Sequence, residues 1–368
     1  MSLNSELVTI NFGPQHPSMH GVFRLRVTLD GETIVDLEPV FGYLHRGTEK
    51  LAEERTYVQI VTLTDRLDYV ASMSNNLAYV SAVEKLCNIE VPKRASYIRV
   101  IVAELQRIAS HLMATGFLLN DLGAFGTPLM YCFREREKIL DLFEILCGAR
   151  ITLSYMRPGG IFQDTPQEFW GNLDLLLESM PNQIDELESL ITGNEIVLSR
   201  TRDVGILTPE QVIDASLSGP MLRASSVKWD LRKANPYEIY DEIDFDVPIG
   251  ATGDTFDRYL IRIKEMRESI KIITQCINLI KPGPVRNEDV PLIFRAPEGE
   301  AYVGIEGPKG ELGFYLVSDG GISPYRCKIR APSFINLTLL KEMTAGGKIG
   351  DLIVNFGSID IVLGEVDR

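Results

Sequence analysis

Four histidines, His16, His20, His45 and His111, are the first side chains to test for acid–base or metal chemistry. His16 and His20 have the i, i+4 spacing of a helical zinc pair, but Pro17 forbids the helix and the catalytic Glu of an HExxH site is missing. His111 falls in a long apolar run and reads as a core histidine with a satisfied ring. The five cysteines, Cys87, Cys132, Cys147, Cys276 and Cys327, form no CxxC pair, so they read as free thiols in a reducing compartment. No GxSxG nucleophile elbow, no GxxxxGK[ST] and no strand-anchored GxGxxG is present; GPKGELG is too short and too strand-like for a phosphate loop. What stands out is charge embedded in apolar sequence. TDRLDYV sets Asp65, Arg66, Asp68 and Tyr69 directly after VQIVTL, and Asp121 lies between FLLN and LGAFG. A solvated helix face would explain a lone pair. With apolar neighbours on both sides, partly buried and paired polar groups fit better, and such groups gather at functional sites.

The elements that must position these residues follow from periodicity. ELVTINFG and VFRLRVTLDGETIVDLEPV alternate as strands, with a hairpin-type turn at Asp30-Gly31. GPQHPSMHG between them must be a loop. From about residue 46 the period is helical. Residues 48–86, 95–122 and 130–156 read as long, largely apolar helices, and PQEFWGNLDLLLESMPNQIDELESLITGN as a more amphipathic, acidic one. Thr208 and Gln211 have the spacing of a capping box. SGPMLRASSVKWDLRKANPYEIYDEIDFDVPIG lacks a period but carries too many large apolar groups for a free linker, so it reads as an ordered excursion. A further helix follows at 252–280, then strand–turn–strand in AYVGIEGPKGELGFYLVSDGG. The expected fold is α+β: a helical bundle core over 46–292, an N-terminal sheet region over 1–45, and a C-terminal β or extended region over 293–368.

Of 368 residues, 37 are Lys or Arg and 51 Asp or Glu, a net charge of −14, which disfavours nucleic acid or an anionic membrane surface as main partner. No run of 18 apolar residues exists, and the N-terminal segment has no secretory signal pattern. Membrane association would have to come through partners.

The strings GPQHPSMHGVFRL, GYLHRGTEKLAEERTY, TDRLDYV, GPMLRASSVKWDLRKANPYEIYDEIDFDVP, IEGPKGELGFYLVSDGGISPYRCKIRAPSF and DIVLGEVDR together resemble the quinone-site subunit of respiratory complex I, a family homologous to the large subunit of nickel–iron hydrogenases. The resemblance runs from about residue 8 to the last residue. It implies a hydrogenase-large-subunit-like bundle whose N-terminal hairpin loop enters a quinone cavity. It implies that His20 and Tyr69 hydrogen-bond the quinone head group, and that Asp121 pairs with His20. Arg46 and position 152 would lie near an iron–sulfur cluster held by a neighbouring small subunit. It also implies a peripheral subunit on the cytoplasmic face of the inner membrane, with other peripheral-arm and membrane-arm partners, no intrinsic metal and no activity alone. Ubiquinone, menaquinone or plastoquinone would be the substrate. The residue types suit that chemistry: quinone reduction takes two electrons and two protons, and a neutral phenol beside a titrating imidazole can hold and protonate the carbonyl oxygens.

Three departures qualify the resemblance. The places where a nickel–iron enzyme needs paired cysteines read TDRLDY and SIDIVLGEVDR, which excludes such a centre. Many family members carry a histidine in GAR-x-H where this chain has Thr152, which would weaken the pH dependence of the cluster potential and suit a low-potential quinone such as menaquinone. The 281–300 stretch lacks the helix usual before the following strand. The rival reading is a non-catalytic scaffold that holds an iron–sulfur subunit against a membrane arm.

Overall fold

A computed structural model describes residues 7–15, 21–124 and 126–368. The N-terminal sheet is an antiparallel meander of β1 (Leu7–Phe12), β2 (Arg24–Asp30) and β3 (Thr33–Val40), with Asp30 opposite Thr33 across the expected turn. Gly31 takes φ +62 there, a left-handed backbone that glycine adopts without strain. The alternation buries Leu25, Val27, Leu29 and Ile34 on one face.

Helices α1 (Thr48–Glu53), α2 (Tyr57–Thr64) and α3 (Ser72–Cys87) replace the single long helix that the apolar period suggested. The first break has a local cause. The Thr56 side chain accepts from the Gln59 N–H while the Gln59 side chain accepts from the Thr56 N–H, a capping box that starts a new helix. The second break, over 65–71, forms the functional turn.

Helix α4 (Lys93–Asp121) is buried almost all round, as expected for the central rod of a bundle. Against it pack α5 (Thr127–Cys147) and α11 (Thr255–Leu279), and α6 (Gln167–Ile191) packs in turn on those two. Gly116 makes the α4–α5 approach possible, because a Cβ there would lie 2.9 Å from Leu129 Cδ1. A short β4–β5 pair (Met156–Arg157, Gly160–Ile161) sits beside α3, and α7 (Glu195–Thr201) and α8 (Pro209–Asp214) follow α6. Thr208 and Gln211 form the anticipated capping box.

The aperiodic excursion is ordered. It contains α9 (Pro220–Ala224) and α10 (Leu231–Ala234), and it drives Arg223, Asp230 and Arg232 into the bundle. Arg223 meets Glu265 and Glu306 at 2.7 Å each, and Arg232 meets Glu104 at 3.1 Å and Asp230 at 2.6 Å. Each of these buried charges has an opposite partner, which burial demands. Between 281 and 298 no helix forms.

The second sheet is β6 (Gly299–Gly307), β7 (Gly310–Ser318) and β8 (Arg326–Arg330). The expectation of a β or extended region over 293–368 holds only to there. From Pro332 onward the chain is helical, through α12 (Pro332–Asn336), α13 (Leu340–Thr344), α14 (Ile349–Ile359) and α15 (Leu363–Val366). The physical reason is the spacing in α14: Leu352, Phe356 and Ile359 share one face and bury it against the N-terminal sheet around Phe23, whose ring stacks on Phe356 with centroids 5.4 Å apart. The first and last segments of the chain therefore share one apolar core.

Candidate functional site

The break between α2 and α3 is built by its own polar side chains. Asp68 Oδ1 accepts from the backbone N–H of Val70 at 2.9 Å and of Ala71 at 3.2 Å. Ser72 Oγ donates to the Asp65 carbonyl at 2.9 Å, and Gln106 Nε2 of α4 donates to the Val70 carbonyl. Asp65 and Asp68 are 1% and 2% exposed, as the embedded charges predicted, whereas Tyr69 is 38% exposed. The turn thus offers one phenol outward from a rigid base. Burial pushes the Tyr69 hydroxyl above its usual pKa and the Asp68 carboxylate adds to this, while Lys309 opposes. The group stays a neutral O–H donor.

Tyr69 and Val70 form one wall of a cavity of about 250 Å3. Helix α4 supplies Met113, Ala114 and Phe117, spaced three and four apart on one face. The end of α14 and the residues after it supply Gly357, Asp360, Ile361 and Val362. Gly21, next in sequence to His20, completes the lining at φ +135. A mostly apolar chamber with one phenol and one carboxylate suits a flat ring bearing polar oxygens at its rim.

Behind the turn lies a buried lysine. Lys309, in the tight β6–β7 connection, sets its ammonium 3.0 Å from Asp68 Oδ2, 3.1 Å from Ser110 Oγ and 3.6 Å from Asp360 Oδ2. Against the opposing effect of burial, the carboxylates of Asp360, Asp68 and Glu365 hold its pKa above the ordinary lysine value. Glu365, fully buried in α15, accepts from the Ser333 N–H at 3.0 Å. Burial first, and Asp68 next, push it up to about 7. Lys309, Asp360 and Glu365 were not singled out by sequence reasoning. The signal was present: a lysine in an otherwise strand-like GPKGELG, and two acids in an apolar tail.

Arg46 lies on the other side of the same turn and donates from Nη2 to the Arg66 carbonyl at 2.6 Å. Its approach is fixed by Asp367, whose carboxylate accepts from the N–H groups of Gly42 and Leu44 at 2.8 and 2.7 Å. Burial pushes Asp65 up to about 6, although Arg66, Arg157 and Arg46 all draw it down. Three guanidiniums around one carboxylate leave this side of the turn positive. Thr152 is half-buried at φ +56, a left-handed conformation that a β-branched residue rarely takes. Its hydroxyl donates to the Ile151 carbonyl at 2.6 Å.

Asp121 ends α4 one turn beyond Phe117, on the helix that lines the cavity. His16 and His20 lie outside the described residues, and so does any pairing of His20 with Asp121. His111 is a core histidine, fully buried, with Nε2 2.8 Å from Glu265. Its pKa is lowered by burial despite that carboxylate. Cys132, Cys276 and Cys327 are buried in the main core, where burial pushes each thiol up to about 12. No helix among the described residues is long and apolar enough to cross a membrane.

The family model of the respiratory-chain NADH dehydrogenase 49 kDa subunit matches residues 121–295 and 290–368. Over the full length of both chains, the protein is 58% identical to the D subunit of a NADH-quinone oxidoreductase of Dehalococcoides mccartyi. It is 56% identical to a NADH-quinone oxidoreductase D subunit of Roseiflexus sp. strain RS-1, again with both chains fully covered. The corresponding D subunit of Geotalea uraniireducens is 50% identical over 99% of this chain and all of its own. With more than half of the chain inside the family model, and identities of this size end to end, the chain belongs to the family of the respiratory-chain NADH dehydrogenase 49 kDa subunit.

Proposed function

We propose that this chain is the quinone-reducing subunit of an NADH:quinone oxidoreductase of the complex I type, and that the head group is reduced in the cavity beneath Tyr69. The observation that carries this is the pairing of a pinned, neutral phenol with an apolar chamber of one-ring size, backed by a buried Lys309–carboxylate cluster. Tyr69 donates a hydrogen bond to a quinone carbonyl, and Met113 and Phe117 hold the ring faces. As charge develops on the oxygens, the Tyr69 O–H stabilises it, which is differential binding of the reacting state. His20 is the second donor in this reading, and Asp121 orients its imidazole and favours its cationic form. Gly21 in the cavity lining supports that assignment.

Electrons come from an iron–sulfur cluster of a neighbouring small subunit, which sits against the positive side of the turn. Arg46, with Arg66 and Arg157, favours the reduced, more negative cluster, and Thr152 is in this reading a further neighbour of that cluster. The bundle follows the architecture of nickel–iron hydrogenase large subunits, with the quinone taking the place of their metal centre. The chain works as a peripheral subunit on the cytoplasmic face of the inner membrane, bound to other peripheral-arm and membrane-arm subunits.

The test is Tyr69→Phe in the purified complex, assayed with a short-chain quinone. Loss of one hydrogen bond that strengthens during reduction is expected to slow turnover about tenfold or more, with assembly intact. Equal turnover would place the quinone elsewhere and favour a scaffold.

A further inference from the structure

We infer that Glu306 is a buried proton-binding site: its carboxyl is a neutral acid at neutral pH, while the three carboxylates networked with it stay ionised. Among the described residues, four buried acids, Glu104, Asp230, Glu265 and Glu306, share one ion-pair network with three guanidiniums, Arg107, Arg223 and Arg232. Three acids have a guanidinium each. Glu104 meets Arg107 at 3.1 Å and also accepts from the Tyr240 and Ser269 hydroxyls. Asp230 takes both Nε and Nη2 of Arg232, and Glu265 lies 2.7 Å from Arg223 and accepts from its Nε. Glu306 is the one left over. It shares Arg223, through Nη1 at 2.7 Å, and accepts from the Leu231 N–H at 3.1 Å. A surplus negative charge in a buried interior is costly, and a carboxyl placed there takes up a proton instead.

No neighbouring group supplies the missing positive charge. His111 sets Nε2 2.8 Å from Glu265, and its buried Nδ1 faces no acceptor for a second ring proton. Arg262 of α11 forms no ion pair among the described residues and donates to the Ser358 carbonyl. Burial lowers its pKa, and of the carboxylates Asp360 opposes that before Glu265 does. Lys309, three positions along the β6–β7 connection, is held by Asp68 and Asp360. Glu84 of α3 is closed by Arg99 at 2.6 Å, and Glu311, opposite Glu306 in the ladder, by Arg330 at 3.3 Å. Burial pushes the Glu306 carboxyl above its usual range; Arg223 and Arg232 oppose this, and Asp230 adds to it. Against burial, their guanidinium partners hold Glu104, Asp230 and Glu265 below that range. The site lies outside the ring cavity and places an exchangeable proton three positions from the lysine that braces the Tyr69 turn.

The experiment compares infrared spectra of the purified complex at neutral pH, in H2O and in D2O, for the wild type, Glu306→Gln and Asp230→Asn. A protonated carboxyl has a C=O stretch separate from the carboxylate bands, and it shifts on deuteration. In the difference between wild type and Glu306→Gln, other neutral acids such as Glu365 cancel, and the loss of one such band is expected. Asp230→Asn reads the same proton without touching Glu306. It leaves three carboxylates to three guanidiniums, so Glu306 should ionise and its band should vanish although the residue is still present. Asn also keeps the cap that Asp230 provides for α10, which favours an intact fold. Loss of the band in either variant supports the inference. A neutral-acid band that persists undiminished in every variant that assembles overturns it, because Glu306 is then a fourth carboxylate.

Discussion

Asp68→Asn isolates the electrostatic tie beneath Tyr69 with almost no change in shape. The Asn Oδ1 can still accept from Val70 and Ala71, so the turn keeps its local hydrogen bonds. What changes is the other atom: an N–H2 group would face the buried Lys309 ammonium in place of an oxygen 3.0 Å away. At an effective dielectric of about 20, that contact is worth roughly 5 kcal/mol of gross attraction. Asp360 at 3.6 Å still balances part of the charge, which sets the net loss near the low end for breaking a buried pair, about 3 kcal/mol. With an unfolding entropy of about 2.1 cal/mol/K per residue over this chain, that loss lowers Tm by about 4 °C. Scanning calorimetry of the complex would follow the transition in Asp68→Asn, Lys309→Met and the double variant. The double variant should lose clearly less than the sum of the singles, because it leaves no uncompensated charge at that contact. Single losses under about 0.5 kcal/mol, or strict additivity, would refute the view that Lys309 is held by this pair.

Other outcomes follow from the same geometry. Glu365 holds its proton more tightly folded than unfolded, so its contribution to stability is complete below its ordinary carboxylate range and is lost as pH rises through about 7. Glu365→Gln should therefore flatten the fall in stability between about pH 4.5 and 7, by up to about 3 kcal/mol, read from unfolding midpoints at several pH values. Gly364 lies against the functional turn, where a Cβ would stand 2.4 Å from the Leu67 carbonyl. Gly364→Ala should displace that turn and reduce quinone turnover along with Tm, an overpacking cost of about 1–3 kcal/mol; unchanged turnover would show that the turn is not held by α15. Thr152→His should steepen the pH dependence of the partner cluster's potential in redox titrations, and it should fold well because His accepts left-handed backbone more readily than Thr. Equal slopes in the two proteins would remove Thr152 from the cluster's surroundings.

The N-terminal strands, the β6–β7 hairpin, the bundle and the Thr208 capping box were visible in the sequence because each has a local period or a local pair of residues. The break at 65–71 was hidden, since the apolar spacing continues across it and the chain is diverted by side-chain bonds, Asp68 forward to Val70 and Ala71 and Ser72 back to Asp65, that leave no period. The helical tail was hidden as well: its apolar run fits strand or helix until the N-terminal sheet supplies the surface it packs on. At the site, Tyr69 and Asp68 stood out because charge interrupts apolar sequence there. Lys309, Asp360 and Glu365 did not, because their partners lie far away in the chain: Asp68 and Lys309 meet across 241 positions of sequence. Long-range ion pairing leaves little local trace.

The most direct measurement is a structure of the assembled complex with a short-chain quinone bound. The ring is expected between Met113, Phe117 and Val362, with one carbonyl oxygen within hydrogen-bond distance of the Tyr69 hydroxyl. A ring lodged outside this cavity, with Tyr69 facing only water or protein, would contradict quinone reduction at this site.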